Sequence, residues 1–156
     1  MKSGILSAVA LATACLSACG SSAPPPAEAS PSSDLAASNA RLFLAPVKGN
    51  AAAVYFDIAN KGQTTWSIQG ASLKGAQMTM LHTVGGPNMN GGMGEVLQVL
   101  VHPGETVHFE PGKLHVMVMD PPADLTRGAK SELTLNFLGG DKMSFPVEVK
   151  AAGDAR

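Results

Sequence analysis

The chain has 156 residues, of which 45% are hydrophobic and 15% charged, and its formal net charge is -1. A nearly balanced charge gives no support to a nucleic-acid-binding or anionic-membrane surface. The length suits one small domain, and the two cysteines are too few for a disulfide framework.

The first eighteen residues predict an export signal. Lys2 supplies the positive charge, residues 5–16 an apolar stretch too short for a membrane span, and the letters LSAC at 16–19 the cleavage region. These letters fit a bacterial lipobox, in which Cys19 receives acyl chains such as palmitate and becomes the new N-terminus. The alternative is an ordinary signal peptide cut near Ala18. The lipobox favours a protein anchored in the bacterial cell envelope, with its domain facing the periplasm or the exterior.

The mature chain divides into three predicted parts. Cleavage before Cys19 leaves 138 residues with ten basic and twelve acidic side chains, and Cys15 departs with the signal. Residues 19–38 hold the lipidated Cys19 and a Pro/Ala/Ser-rich tether, which has too few apolar side chains to fold. Residues 39–150 are the predicted domain, without a free thiol or a disulfide. Residues 151–156 are expected to form a disordered tail.

The domain alternates short β-prone runs with turn residues. Gly, Pro, Asn and Asp separate the runs, and no long segment has the helical period. This pattern predicts a single all-β domain, a Greek-key sandwich or barrel. The nine predicted strands are residues 41–45, 52–59, 65–70, 77–84, 95–101, 106–110, 114–119, 132–138 and 142–149.

All four histidines and six of the eight methionines fall between residues 78 and 119. His82 is followed after ten residues by Met93, and after twenty-one more by His115, one spacer and Met117. In residues 114–119, Leu and Val alternate with His and Met, so His115 and Met117 should share a face away from the core. Met93 falls in a Gly-rich loop, residues 85–94, that would let it approach His82.

Imidazole and thioether ligands without a thiolate suit copper, above all Cu(I), which is soft and accepts sulfur. The alternative is that each of these side chains is packing or surface, as a lone His or Met usually is. Four ligands coinciding at one rim favour a metal site.

The other histidines and methionines have weaker claims. Met80, in phase with His82, and Met89, in the loop, are candidate auxiliary ligands. Packing is favoured for Met78, and Met119 is expected beside the site without binding the metal. The rest are assigned to the surface or the core: His102, His108 and Met143.

The spacing of His82, Met93, His115 and Met117 resembles the signature of periplasmic copper chaperones of the PCuAC family. The resemblance extends to the letters AAVYFDIAN at 52–60, PGETV at 103–107 and PGKLH at 111–115. It implies a cupredoxin-like β-sandwich in which these four side chains bind Cu(I). It also implies delivery of copper toward cytochrome c oxidase assembly, with thioredoxin-like assembly factors or the CuA subunit as partners. Some members of the family also have a Met/His-rich tail that helps to bind Cu(II). Residues 151–156 contain neither residue, so the resemblance leaves the binding of a second, oxidised copper open.

Three other functions compete with delivery. The first is sequestration of copper for resistance, without a dedicated acceptor, and the second is an Ig-like structural lipoprotein without metal affinity. The third is redox chemistry, which is disfavoured because blue-copper sites require a Cys thiolate. No Ser-His-Asp or paired-carboxylate pattern stands out, so the sequence predicts a protein that is not an enzyme.

Overall fold

The computed structural model describes residues 31–85 and 92–154. Cys19, the export signal, most of the predicted tether and Met89 lie outside the described residues. No helix in the described ranges is both long enough and apolar enough to cross a membrane.

The described chain is almost entirely β-structure, preceded by one helical turn. Polar and glycine-containing turns separate the strands, as the sequence pattern indicates. The elements in chain order are α1 (Pro31–Asp34), β1 (Leu35–Phe43), β2 (Ala52–Asn60), β3 (Trp66–Leu73), β4 (Met78–Val84), β5 (Met93–Glu95), β6 (Val99–Val101), β7 (Thr106–Phe109), β8 (His115–Met119), β9 (Lys130–Phe137) and β10 (Lys142–Lys150).

The strands form one curled sheet that encloses the core. Its order is β5-β4-β8-β2-β1-β10-β9-β3-β6, and β7 pairs with the far end of β2. The parallel pair of β1 and β10 joins the half of the sheet that ends in β5 to the half that ends in β6. In this pair, Arg41 lies opposite Glu148. The other described strand pairs are antiparallel. The prediction of an all-β, cupredoxin-like domain is confirmed.

Alternation along each strand fills the inside of the curl. On β2, Val54, Phe56 and Ile58 are fully buried, and the ring of Phe56 stacks on Phe109 with centroids 4.1 Å apart. Burying one such side chain stabilises the fold by about 1.5–3 kcal/mol. β8 contributes Val116 and Val118 to this core, so its remaining side chains face outward.

The first strand begins earlier than the sequence indicated. β1 starts at Leu35, so residues 35–38, assigned to the tether, belong to the sheet. Leu35 is buried and pairs with Asn60 on β2. The indole Nε1 of Trp66 donates to the carboxylate of Asp34 at 3.3 Å, and the Lys61 amide donates to the Asp34 carbonyl at 2.7 Å. These contacts with distant parts of the chain order a segment that has no anchor of its own.

The single strand predicted over residues 95–101 is wrong: the chain forms two short strands there. β5 pairs with β4 and β6 with β3, at opposite ends of the sheet order. Between them the Val96 amide donates to the Leu81 carbonyl at 2.8 Å, and the exposed Leu97 marks the bend. The split also changes the setting of Met93, which begins β5 instead of lying in a loop.

Candidate metal centre

The outward face of β4 and β8 carries a ladder of histidine and methionine pairs. The antiparallel register sets His82 opposite His115 and Met80 opposite Met117. Directly opposed side chains on one face have Cβ atoms about 4.5–5.5 Å apart. The sheet therefore brings together three of the four candidate ligands, because His82 lies next to His115 and Met117 lies two residues further along β8.

Met93 reaches the same face from the next strand. β5 pairs with β4 so that Glu95 lies opposite His82 and Met93 opposite Val84. Because alternate residues of a strand share a face, Met93, Val84 and His82 point the same way. All four candidate ligands thus lie on one side of three adjacent strands.

His115 is held rigidly although it lies outside the hydrophobic core. Its side chain is only 5% exposed, and Nδ1 is 2.9 Å from the carbonyl oxygen of Lys113. A carbonyl can only accept, so Nδ1 carries the proton and Nε2 keeps a free lone pair. This is the arrangement in which a histidine typically binds a metal through Nε2.

The turn that supplies this carbonyl is fixed by local contacts. The Glu110 amide donates to the Leu114 carbonyl at 2.7 Å, and Gly112 takes a φ of +79°, which glycine adopts without strain. The Lys113 ammonium lies 2.7 Å from the Glu110 carboxylate. Their hydrogen bond raises the pKa of Lys113 and lowers the pKa of Glu110. The turn therefore presents its carbonyl to His115 in a defined position.

Of the two imidazoles, that of His82 has fewer hydrogen-bond partners. Its Nδ1 atom is buried and has no hydrogen-bond partner among the described residues. A buried polar atom without a partner costs about 1–3 kcal/mol, so such atoms normally bind something. The ring of His82 approaches that of His115 edge-on, with centroids 6.0 Å apart and planes at 73°.

Aromatic side chains support His115 from β1 and β2, a feature that sequence reasoning missed. The ring centroid of Tyr55 lies 6.2 Å from that of His115 and 5.8 Å from that of Phe43. The Arg41 guanidinium lies 5.9 Å from the centre of the Tyr55 ring. The signal available in the sequence was the phase of β2, where Tyr55 alternates with the core residues Val54 and Phe56. Tyr55 therefore packs beside His115, and Phe43 and Arg41 in turn pack beside Tyr55.

The remaining histidines lie apart from this face, as predicted. Nδ1 of His108 is 2.6 Å from the Asp57 carboxylate, and His102 lies near Thr65. The pKa of Asp57 is lowered, first by a hydrogen bond from Asn39 and next by one from His108. Met143 on β10 packs against the core, which fits the assignment to core or edge.

The additional methionines of β4 and β8 face the same way as the candidate ligands. Met78 pairs with Met119, next to the Met80–Met117 pair. Met78 is 53% exposed, so the packing role favoured for it from the sequence is wrong. The described residues contain no group of three or more His, Cys, Asp and Glu side chains that could hold a metal ion.

The sequence of this chain is similar to those of bacterial proteins named as putative lipoproteins. The family model described as "Putative lipoprotein LpqE-like" matches residues 35–149. The protein named "Putative lipoprotein Lxx21020" from Leifsonia xyli subsp. xyli is 33% identical over 99 residues. That match covers 63% of this chain and 60% of the relative, so the chain spans less than two thirds of the relative's length.

Solved structures share the fold at low sequence identity. The "Apo PCuAC domain from PmoF1" has a TM-score of 0.64 at 21% identity, with 76% of this chain and 94% of that chain covered. The "Copper-bound PCuAC domain from PmoF2" has a TM-score of 0.60 at 18% identity, with 76% and 93% covered. The Cu(I) form of DR1885 from Deinococcus radiodurans has a TM-score of 0.57 at 24% identity, with 79% and 84% covered.

Proposed function

The chain belongs to the LpqE-like family, and on that premise we propose that its domain binds one Cu(I) ion as cargo. The ligands are His82, Met93, His115 and Met117. The observation that carries the proposal is the shared face of β4, β5 and β8, on which all four side chains lie. The copper-bound PCuAC domain from PmoF2 and the Cu(I) form of DR1885, which share this fold, add support.

The donor atoms suit Cu(I) better than harder ions. His115 offers Nε2, because Nδ1 is engaged with the Lys113 carbonyl. His82 has a buried Nδ1 without a partner, which a metal ion would satisfy. Two thioethers complete a neutral, soft set that favours Cu(I) over Zn²⁺ or Mg²⁺. Met80, opposite Met117, and Met89, outside the described residues, are auxiliary ligands in this proposal.

Graded exposure of the ligands supports transfer of the ion to a partner. His115 is 5% exposed, whereas Met93 is 52% exposed and lies on the edge strand of the sheet. An acceptor protein therefore contacts the exposed thioether of Met93 first, while the less exposed imidazoles still bind the ion. Copper passes through an intermediate in which both proteins supply ligands, without unfolding the donor. The domain acts as a metallochaperone and not as an enzyme.

The proposed location rests on the lipobox of the sequence, and the proposed acceptor rests on the PCuAC resemblance. Lipidation of Cys19 anchors the chain to the bacterial envelope, and residues 20–30 hold the domain away from the bilayer. The ion is delivered toward cytochrome c oxidase assembly, to a thioredoxin-like assembly factor or to the CuA subunit. The PCuAC resemblance supports this direction of transfer.

X-ray absorption on the Cu(I) form of residues 20–156 tests the ligand set. In protein loaded with one equivalent of Cu(I), we expect two sulfur and two nitrogen neighbours, and this first ion should be held tightly in competition with a chromophoric Cu(I) chelator. His82→Ala and Met117→Leu should each weaken binding, whereas Met143→Leu, remote from the site, should not. Neighbours of oxygen and nitrogen alone would refute the ligand set.

Delivery and sequestration differ in what cells lose without the protein. Delivery predicts reduced cytochrome c oxidase activity during growth on limiting copper, restored by adding copper. Sequestration predicts normal oxidase activity and poor growth in excess copper. A metal-free structural lipoprotein predicts neither change.

A further inference from the structure

Three methionines other than the four proposed Cu(I) ligands form a cluster, and one of them, Met80, is also an auxiliary ligand of the first site. Met78 lies directly opposite Met119, and Met80 lies two residues from Met78 on the same face of β4. None of the three belongs to the hydrophobic core or to the half-buried side chains packed against it. By contrast, Met143 does pack against the core. Their position therefore calls for a different explanation from filling space.

These thioethers are partly or largely exposed. On β2, the small residue Ala53 lies opposite Met117, one row along the ladder from the Met78–Met119 pair. Met78 is 53% exposed, and Met80 and Met119 are half-buried. Contact of three large apolar side chains with water on an outward sheet face is unfavourable, and folded domains usually avoid such a group.

The spacing lets the three sulfur atoms converge. Opposed residues have Cβ atoms about 4.5–5.5 Å apart, and diagonal neighbours remain within reach of long side chains. Met78 and Met119 form the opposed pair, and Met80 is the diagonal neighbour of Met119. Methionine has three rotatable bonds and a polarizable sulfur, so the cluster can adjust around an ion.

We propose that Met78, Met80 and Met119 form a second site for a soft monovalent ion, Cu(I) or its analogue Ag(I). Neutral thioethers select soft, singly charged ions, and they offer nothing to Zn²⁺ or Ca²⁺. The site lies one to two rows along the ladder from His82 and His115, and successive rows on one face are about 6.6 Å apart. It binds more weakly than the first site because it lacks imidazole. It holds an incoming or outgoing ion beside Met117, the first-site ligand that lies opposite Met80.

Ion stoichiometry tests the second site separately from the first. Residues 20–156, which contain the whole described domain, are titrated anaerobically with Cu(I) against a chromophoric chelator, and with Ag(I) in native mass spectrometry. We expect two ions in the wild-type protein and one in Met78→Leu/Met119→Leu. Met143→Leu is the matched control and should still bind two. Leucine keeps the side-chain volume, so thermal unfolding of the apo-proteins should change little.

A His82→Ala/His115→Ala variant shows whether the proposal of the second site or the proposal of the first site is wrong. The second site predicts that this variant keeps one weakly bound ion, whose affinity does not change between pH 7.5 and 5.5. One ion in the wild-type protein, lost in the histidine variant and unaffected in the methionine variant, overturns the second site and leaves the first intact. One ion that is lost in the methionine variant and kept in the histidine variant overturns the proposed His/Met site instead.

Discussion

His82 and His115 face each other directly across β4 and β8, with ring centroids 6.0 Å apart. One imidazole is fixed through the Lys113 carbonyl, and the other has a buried nitrogen without a described partner. In the proposed copper site, the pair would supply one nitrogen donor that is already oriented and one that lacks a partner until an ion binds. Such a pair would need little rearrangement to bind an ion.

Acidification should weaken Cu(I) binding. Copper requires neutral imidazoles, for which protons compete, whereas thioethers do not titrate. We expect the Cu(I) affinity of the first site to fall steadily from pH 7.5 to 5, measured by competition with a chelator whose own pH dependence is known. His82→Ala should show a shallower decrease, because one imidazole remains. An affinity that does not change with pH would indicate a site of methionines alone.

Met117→Leu should separate copper binding from stability. Leucine preserves the volume of the half-buried side chain, so the free energy of unfolding should change by less than about 1.5 kcal/mol. Loss of the sulfur should lower Cu(I) affinity by at least about tenfold, which is about 1.4 kcal/mol. Chelator competition and urea unfolding of the apo-protein measure the two effects. Equal copper affinity in wild type and variant would exclude Met117 as a ligand.

The local part of the site was predictable from sequence, since a strand with period two reveals its faces directly. Val116 and Val118 are buried, and Met117 points away from them, as the alternation predicts. The near-complete burial of His115 was not evident, because Tyr55 and His82 lie beside it on other strands. Contacts between strands depend on register, which a single sequence does not specify.

The same limit explains the misplaced boundaries. Residues 95–101 have continuous β propensity, but their two ends pair with strands at opposite edges of the sheet. Leu35 follows a Pro/Ser-rich segment and becomes buried only through its contact with β2. The opposition of Met78 and Met119 is likewise a property of sheet register.

Asp57→Asn should reduce the acid sensitivity of the fold. Hydrogen bonds from Asn39 and His108 lower the pKa of Asp57 below its ordinary value of 3.8. The carboxylate therefore stabilises the folded state above that value, and this contribution is lost as the pH falls through the lowered pKa. Because the group is partly exposed, we expect a contribution under about 1 kcal/mol.

Urea unfolding at pH 5, 4 and 3 measures this contribution. The wild-type free energy of unfolding should fall more steeply with acid than that of Asp57→Asn. Asp124→Asn, an exposed turn residue, is the matched control and should follow the wild type. Parallel pH profiles for wild type and Asp57→Asn would show that Asp57 does not contribute to acid sensitivity.

Cys19→Ala should release the protein from the membrane fraction or leave it unprocessed. Cys19 ends the LSAC cleavage region, and several acyl chains at about 0.8 kcal/mol per buried CH₂ make an effectively permanent anchor. The anchored domain meets a membrane-bound acceptor at high effective concentration only within reach of its tether. Cell fractionation, with metabolic labelling by a palmitate analogue, measures the change, and Cys15→Ala is the matched control that should stay labelled and membrane-bound. Copper binding by the released domain should equal that of the wild type, because all the proposed ligands lie between residues 78 and 119, far along the chain from Cys19. A Cys19→Ala protein that is cleaved and still sediments with membranes would show that a contact other than lipid holds it there.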